Sequence, residues 1–294
     1  MSAAIDLAPD VPARKTARSI PARVLWLWSV RRELWENRSV VIAPLVVAAL
    51  VFVAFVIHAF HRARLERAGI DTFGFGSMWA SPAHLIALLI GATIALVGVF
   101  YCADAMHGER SDRSILFWKS LPLSDLMTVL SKASIPFVVL PLLAFVVIVV
   151  TQLLMLASTA LINGTEAAGP LTPLLQLQGT LLYGLVVLVL WHAPVYAWLL
   201  FVSSWARRMT IVTAFLPLFV VALVERIAFG TTWFGHVLKL RLFGFGQEGF
   251  VFDGGRVLPY PAGLVTSPSL WIGLVVAVAL IAATVWMRRR MGPI

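Results

Sequence analysis

Few residues in this sequence have the types and spacing that chemistry needs. The histidines stand at 58, 61, 84, 107, 192 and 236, and none has a second histidine, a cysteine and an acid at ligand spacing in its own segment. His58 and His61 share one face of a helix, but no third ligand accompanies them. The single cysteine, Cys102, excludes an internal disulfide. No metal site and no catalytic set is expected. Nor is there a Gly-x-x-x-x-Gly-Lys-Ser/Thr loop to cradle nucleotide phosphates. Gly244-Phe-Gly-Gln-Glu-Gly249 has dinucleotide-loop spacing, but no strand pattern leads into it.

The residues that stand out are polar groups set among apolar ones. The stretch 104–125 is charged from Asp104 to Arg113, then apolar and aromatic at Ile115, Leu116, Phe117 and Trp118. Pro122 breaks it, Ser124 is a suitable N-cap for the next helix, and Asp125 falls in that helix's favourable first turn. The spacing predicts a short amphipathic helix whose apolar face wants a partner surface. Inside long apolar runs lie Gln152, His192 with Tyr196 one helical turn on, and the adjacent Glu225 and Arg226. Such groups are candidates for a transport path or gate, together with Trp233 and Phe234. The competing structural readings are an interhelical hydrogen bond for Gln152, a bond beside the Pro194 kink for His192 and Tyr196, and a helix end for Glu225 and Arg226.

The elements that must position these groups follow from composition. Of the 294 residues 60% are hydrophobic and 13% charged, about half the charged share of a soluble domain. Mean hydropathy is +0.92, so lipid is the expected solvent for much of the chain. Six runs of roughly 20 apolar residues are long enough to cross a bilayer: 40–60, 82–103, 133–162, 174–202, 210–229 and 270–287. The fourth and fifth are parted only by Ser203, Ser204, Arg207 and Arg208. Gly91 and Ala95 in the second have the small-xxx-small spacing of close helix approach. With the N-terminus inside, 16 of the 23 Lys and Arg residues lie on the inner side and 7 on the outer. The positive-inside rule therefore predicts that both termini are cytoplasmic. The net charge of +9 is read as orientation and headgroup signals, with membrane lipids and not nucleic acid as the partner. No cleavage pattern follows the first apolar run, so no removable signal peptide is expected.

Two further segments are predicted to touch the membrane without crossing it. Residues 1–38 form a basic tail in which Ile20, Val24, Leu27, Trp28, Leu34 and Trp35 trace one helical stripe, with Arg23, Arg32, Glu33 and Glu36 on the other side. Such a helix either couples to a partner or anchors in the headgroups. Residues 230–268 are long for a connection and apolar for a water-exposed one. In that stretch Trp233, Val237 and Leu240 make one helical row, and Phe234, Leu238 and Leu242 the next. Short helices dipping into the outer interface are expected there. The fold class is thus all-α: six transmembrane helices over 39–290, an N-terminal interfacial helix, a coupling helix within 104–131 and re-entrant helices within 230–268.

With Glu109-Arg110, Ser114, Leu116, Ser120-Leu121-Pro122-Leu123-Ser124 and Lys132 in place, the chain resembles the permeases of type-2 ABC exporters. Those proteins carry a Glu-Arg pair, a Ser-Leu-Pro-hydrophobic-Ser turn and a basic residue at the next span. The chain departs from that pattern at Asp112-Arg113-Ser114, where the family commonly has a glycine, and at Phe117-Trp118-Lys119. The resemblance implies a bacterial inner-membrane permease subunit that is no enzyme itself, paired with a second permease copy. Separate cytoplasmic ATPases would supply ATP and magnesium and dock at Glu109, Arg110, Ile115, Leu116, Phe117, Trp118 and Pro122. A secondary transporter would call for related halves and intramembrane charges. A lipid-modifying enzyme would call for polar residues converging at one interface.

Overall fold

A computed structural model describes residues 21–68, 82–112, 124–164, 171–244, 248–253 and 256–290. Helix α1 (Ala22–Glu36) leads through Asn37 into α2 (Ser39–Arg67). Helix α3 (Pro82–Asp104) opens on a proline, whose missing N–H costs nothing in a first turn, and is followed by the single turn α4 (His107–Ser111). Ser124 then caps α5 (Asp125–Ser134) as its type suggests, accepting from the Met127 amide at 3.2 Å. A π-turn over Ile135–Val139 carries the chain past Pro136 into α6 (Leu140–Asn163). The third span therefore starts earlier than 133, running Asp125–Ile162 without a stop.

Helix α7 (Leu171–Trp205) and α8 (Thr210–Phe229) are separate, and the break falls where Arg207 and Arg208 predict it. Met209 makes the turn in the left-handed region, at φ 47°. Helix α8 ends on Gly230, whose φ of 66° suits a residue without a Cβ. Next come α9 (Trp233–Phe243), the strands β1 (Phe250–Asp253) and β2 (Arg256–Pro259), α10 (Pro261–Thr266) and α11 (Pro268–Arg290). The strands pair antiparallel with Phe250 opposite Pro259. This hairpin corrects the all-helical expectation for 230–268.

Among the described residues six helical stretches are long and apolar enough to cross a membrane, so the chain is a mostly helical multi-pass membrane protein. Helix α7 is the central post, packed against α11, α3 and α6, while α2 closes the bundle against α6 and α3. Lipid gives no hydrophobic drive for helices to associate, so close fit must supply it. Ala193 and Ala197 of α7 meet Ala277 of α11, and Gly98 of α3 lies under the Tyr196 ring. At Gly91 the described residues form no close seat: none of them lies within 4 Å of where its Cβ would be. Helix α8 stands apart, with 6% of its apolar window buried against 56% for α7.

Candidate functional site

Both described ends of the chain, α1 and the last turn of α11, meet at one end of the bundle in a buried network of charge. Glu33 of α1 is fully buried. It accepts from Lys132 Nζ at 3.0 Å, the Tyr101 hydroxyl at 3.0 Å and Arg32 Nη2 at 2.6 Å. Glu109 of α4 accepts from Arg288 Nη1 at 2.8 Å and Arg32 Nη2 at 3.2 Å, with Lys132 Nζ also 3.2 Å away. Arg288 reaches Asp125 at 3.2 Å through Nε. Each carboxylate here meets at least one cation, which offsets the high cost of desolvating charge. Met106, Val129 and Val285 form an apolar patch beside it. Nearby, Arg110 donates to the carbonyls of Ser204 at 2.9 Å and Ala206 at 3.3 Å, capping the end of α7. Helices α1, α4, α5, α7 and α11 are thus tied through residues within and beside the connection 104–131.

Glu109 and Arg110 are 7% and 6% exposed and bond inward. On α1 the buried edge is Ser29 and Glu33, while Leu27, Trp28 and Trp35 face out at 59%, 59% and 62%. The outward row belongs to the apolar stripe read from the sequence, and Glu33 lies on the side opposite it. Glu36, at the half-exposed edge, has its carboxyl raised above its ordinary value by burial, with Arg32 pulling the other way. Ile115, Leu116, Phe117, Trp118 and Pro122 lie outside the described residues.

The candidate path residues fall elsewhere. Gln152 accepts from Gln178 at 2.6 Å, joining α6 to α7. Both ring nitrogens of His192 face carbonyls, Leu188 at 2.9 Å and Leu242 at 3.2 Å. Tyr196 meets Phe137 edge-on, with centroids 6.0 Å apart. His192, Tyr196 and the α9 tip line a cavity of about 470 Å³ between α3 and α7, together with Leu88, Gly91, Ala95 and other apolar groups. Glu225 accepts from the Thr231 hydroxyl at 2.9 Å and from the amides of Trp233 at 2.8 Å and Phe234 at 2.9 Å. It therefore caps α9 and closes the α8–α9 hairpin. Arg226 is exposed, as is Trp233 at 73%, whereas Phe234 is half-buried.

Sequence reasoning missed the anchor of α9. Trp191 Nε1 donates to Leu240 O at 3.1 Å, and Arg241 donates to Trp191 O at 3.3 Å and Ser269 O at 2.6 Å. The guanidinium lies 4.6 Å from the Trp191 ring centroid, in the room that Gly273 leaves. An arginine and a tryptophan in an apolar stretch were the available signal. Among the described residues no group of three metal-ligating side chains occurs.

Comparison with models of protein families, with curated proteins and with solved structures found no match to this chain. The class rests on the fold: a polytopic membrane protein whose charged chemistry is gathered at the end of the bundle that α1 and the close of α11 share.

Proposed function

We propose that the chain is the transmembrane permease subunit of an ATP-binding cassette exporter, dimeric and driven by separate cytoplasmic ATPases that bind ATP and magnesium. The observation that carries this reading is the ion network at the base of the connection 104–131. Glu109 links that connection to α1, to the third span through Lys132 and to the sixth through Arg288. Arg110 links it to the end of the fourth. A push on the connection therefore reaches several spans through short charge-assisted bonds, as a motor outside the membrane requires. Ile115, Leu116, Phe117 and Trp118 are the docking surface, and Glu109 and Arg110 act as its inward brace.

The network end is the cytoplasmic one on the charge count, and the membrane is the bacterial inner membrane. Helix α1 lies in that interface. At the far end α9 is re-entrant. Trp191, which holds it, is roughly 20 Å along α7 from Ser204, or about two-thirds of the way across the hydrocarbon. The thinly covered α8 faces the second copy.

The test is co-purification of the full chain with a stand-alone ABC ATPase from the same cell. The expected result is a stable complex whose ATP hydrolysis rises on assembly in vesicles. A chain that moves its cargo without any ATPase, or that binds none, overturns the reading.

A further inference from the structure

We propose that the outward face of α1 binds the phosphate of an anionic membrane lipid, with Arg31 as its centre. This stands apart from the exporter reading, since it needs only the geometry of α1 and a bilayer. The Glu33 edge of α1 is fixed in the bundle, which forces Leu27, Trp28 and Trp35 outward. Arg31 lies between the two indoles, 5.4 Å from the Trp28 ring centroid and 4.7 Å from that of Trp35. Among the described residues no carboxylate pairs with it, whereas its neighbour Arg32 is paired with Glu33, Glu36 and Glu109. The indoles hold the cation by its charge and leave its planar fork of N–H donors for an anion.

What lies opposite is set by depth. Arg290 sits 4.0 Å from the ring centroid of the half-exposed Trp286, at the same end of the bundle. Arg288, two residues away on α11, is tied through Glu109 to Arg32 of α1. Two exposed arginine–indole units thus stand at the level of one network. Tryptophan in a bilayer sits at the headgroup boundary, and the anion there is the lipid phosphate. Arg23 and Arg38 are exposed on the same helix and the turn after it, and favour a lipid of net negative charge over a zwitterion.

Native mass spectrometry of the full chain, in micelles doped equally with phosphatidylglycerol and phosphatidylcholine, tests this. The wild type should retain phosphatidylglycerol in excess. Arg31→Gln should cut that excess by about fivefold, the factor for one basic residue at a membrane surface. Trp28→Ala combined with Trp35→Ala should lower it too, while Lys239→Gln on α9 should leave it intact. Circular dichroism checks that each variant keeps its helices. Equal retention of both lipids, an unchanged excess in Arg31→Gln, or an equal loss in Lys239→Gln would overturn the proposal. So would a co-purified protein that covers α1 without any lipid excess.

Discussion

Arg288 Nη1 stands 2.8 Å from Glu109 Oε2, joining the last turn of the last helix to the connection that follows the second span. Glu109 in turn shares Lys132 with Glu33, so one lysine bridges α1 and α4 from the start of the third span. Stranding a buried charge costs about 3–5 kcal/mol; Glu33 keeps Arg32 and Lys132 keeps Glu109, so each single loss falls toward the lower end of that range. Glu33→Ala and Lys132→Ala should each lower the melting midpoint sharply. The double variant Glu33→Leu with Lys132→Met should recover much of the loss, because two apolar groups replace two charges. Additive losses in the double variant would mean that the pair is not a unit.

Docking makes a separate prediction. If Ile115 to Trp118 meets the ATPase, Phe117→Ala with Trp118→Ala should weaken co-purification while insertion stays normal. Buried interface aromatics are worth about 2 kcal/mol or more each, so even one lost contact is roughly a 30-fold change in affinity. Unchanged complex and unchanged stimulated hydrolysis would remove this surface from the docking site.

The spans were legible in the sequence because a bilayer asks for a simple thing, about 20 apolar residues. The break before α8 and the Ser124 cap were legible for the same reason: both rest on local rules, two adjacent arginines and a hydroxyl at the right place. The network was not. Glu33 and Lys132 are 99 positions apart, and Glu109 and Arg288 are 179 apart, so no local pattern announces them. The two sides of α1 were legible, with the stripe of Leu27, Trp28 and Trp35 facing out and Glu33 opposite it, but the partners that bury Glu33 were not. The strand hairpin left a signal that went unused: two apolar runs, Phe250–Asp253 and Arg256–Pro259, with Gly254-Gly255 between them.

Topology can be checked directly. In a Cys102→Ala background, cysteine at 169 and 254 should react with an impermeant reagent added outside cells. Cysteine at 111 should react only after permeabilisation. The opposite pattern would invert the molecule, and a mixed one would break the six-span arrangement near Arg207 and Arg208.

Glu36 supplies a pH prediction. Its carboxyl is raised chiefly by burial, so the folded state holds this proton more tightly than the unfolded one. The stability tied to that proton is fully present below the ordinary carboxylate range and is lost as pH rises through the raised folded value. Ionised Glu36 is therefore a burden at neutral pH. Glu36→Gln should melt higher than the wild type at pH 7, and the two should converge at the acid end. A gap that widens on acidification would contradict the sign.

The α8–α9 hairpin carries the last prediction. A single unbroken helix over 210–242 would have left no gate to consider, but Gly230 turns the chain and Glu225 clamps the turn. Phe234 and Leu238 face inward from α9, while Trp233 and Val237 face out. The tip of α9, Leu242 and Phe243, lines the cavity between α3 and α7. If α9 gates an exit path, loosening it should impair export and spare ATPase docking, because the network lies at the other end. Glu225→Ala removes the acceptor that holds the amides of Trp233 and Phe234 and so loosens the local turn. It should raise the accessibility of a cysteine placed at 243 with little change in global melting. Phe234→Ala should act in the same direction through lost contact, and Trp233→Ala through its outward face, against lipid or the second copy. Normal export in all three variants, with position 243 no more accessible, would leave α9 as a packing element.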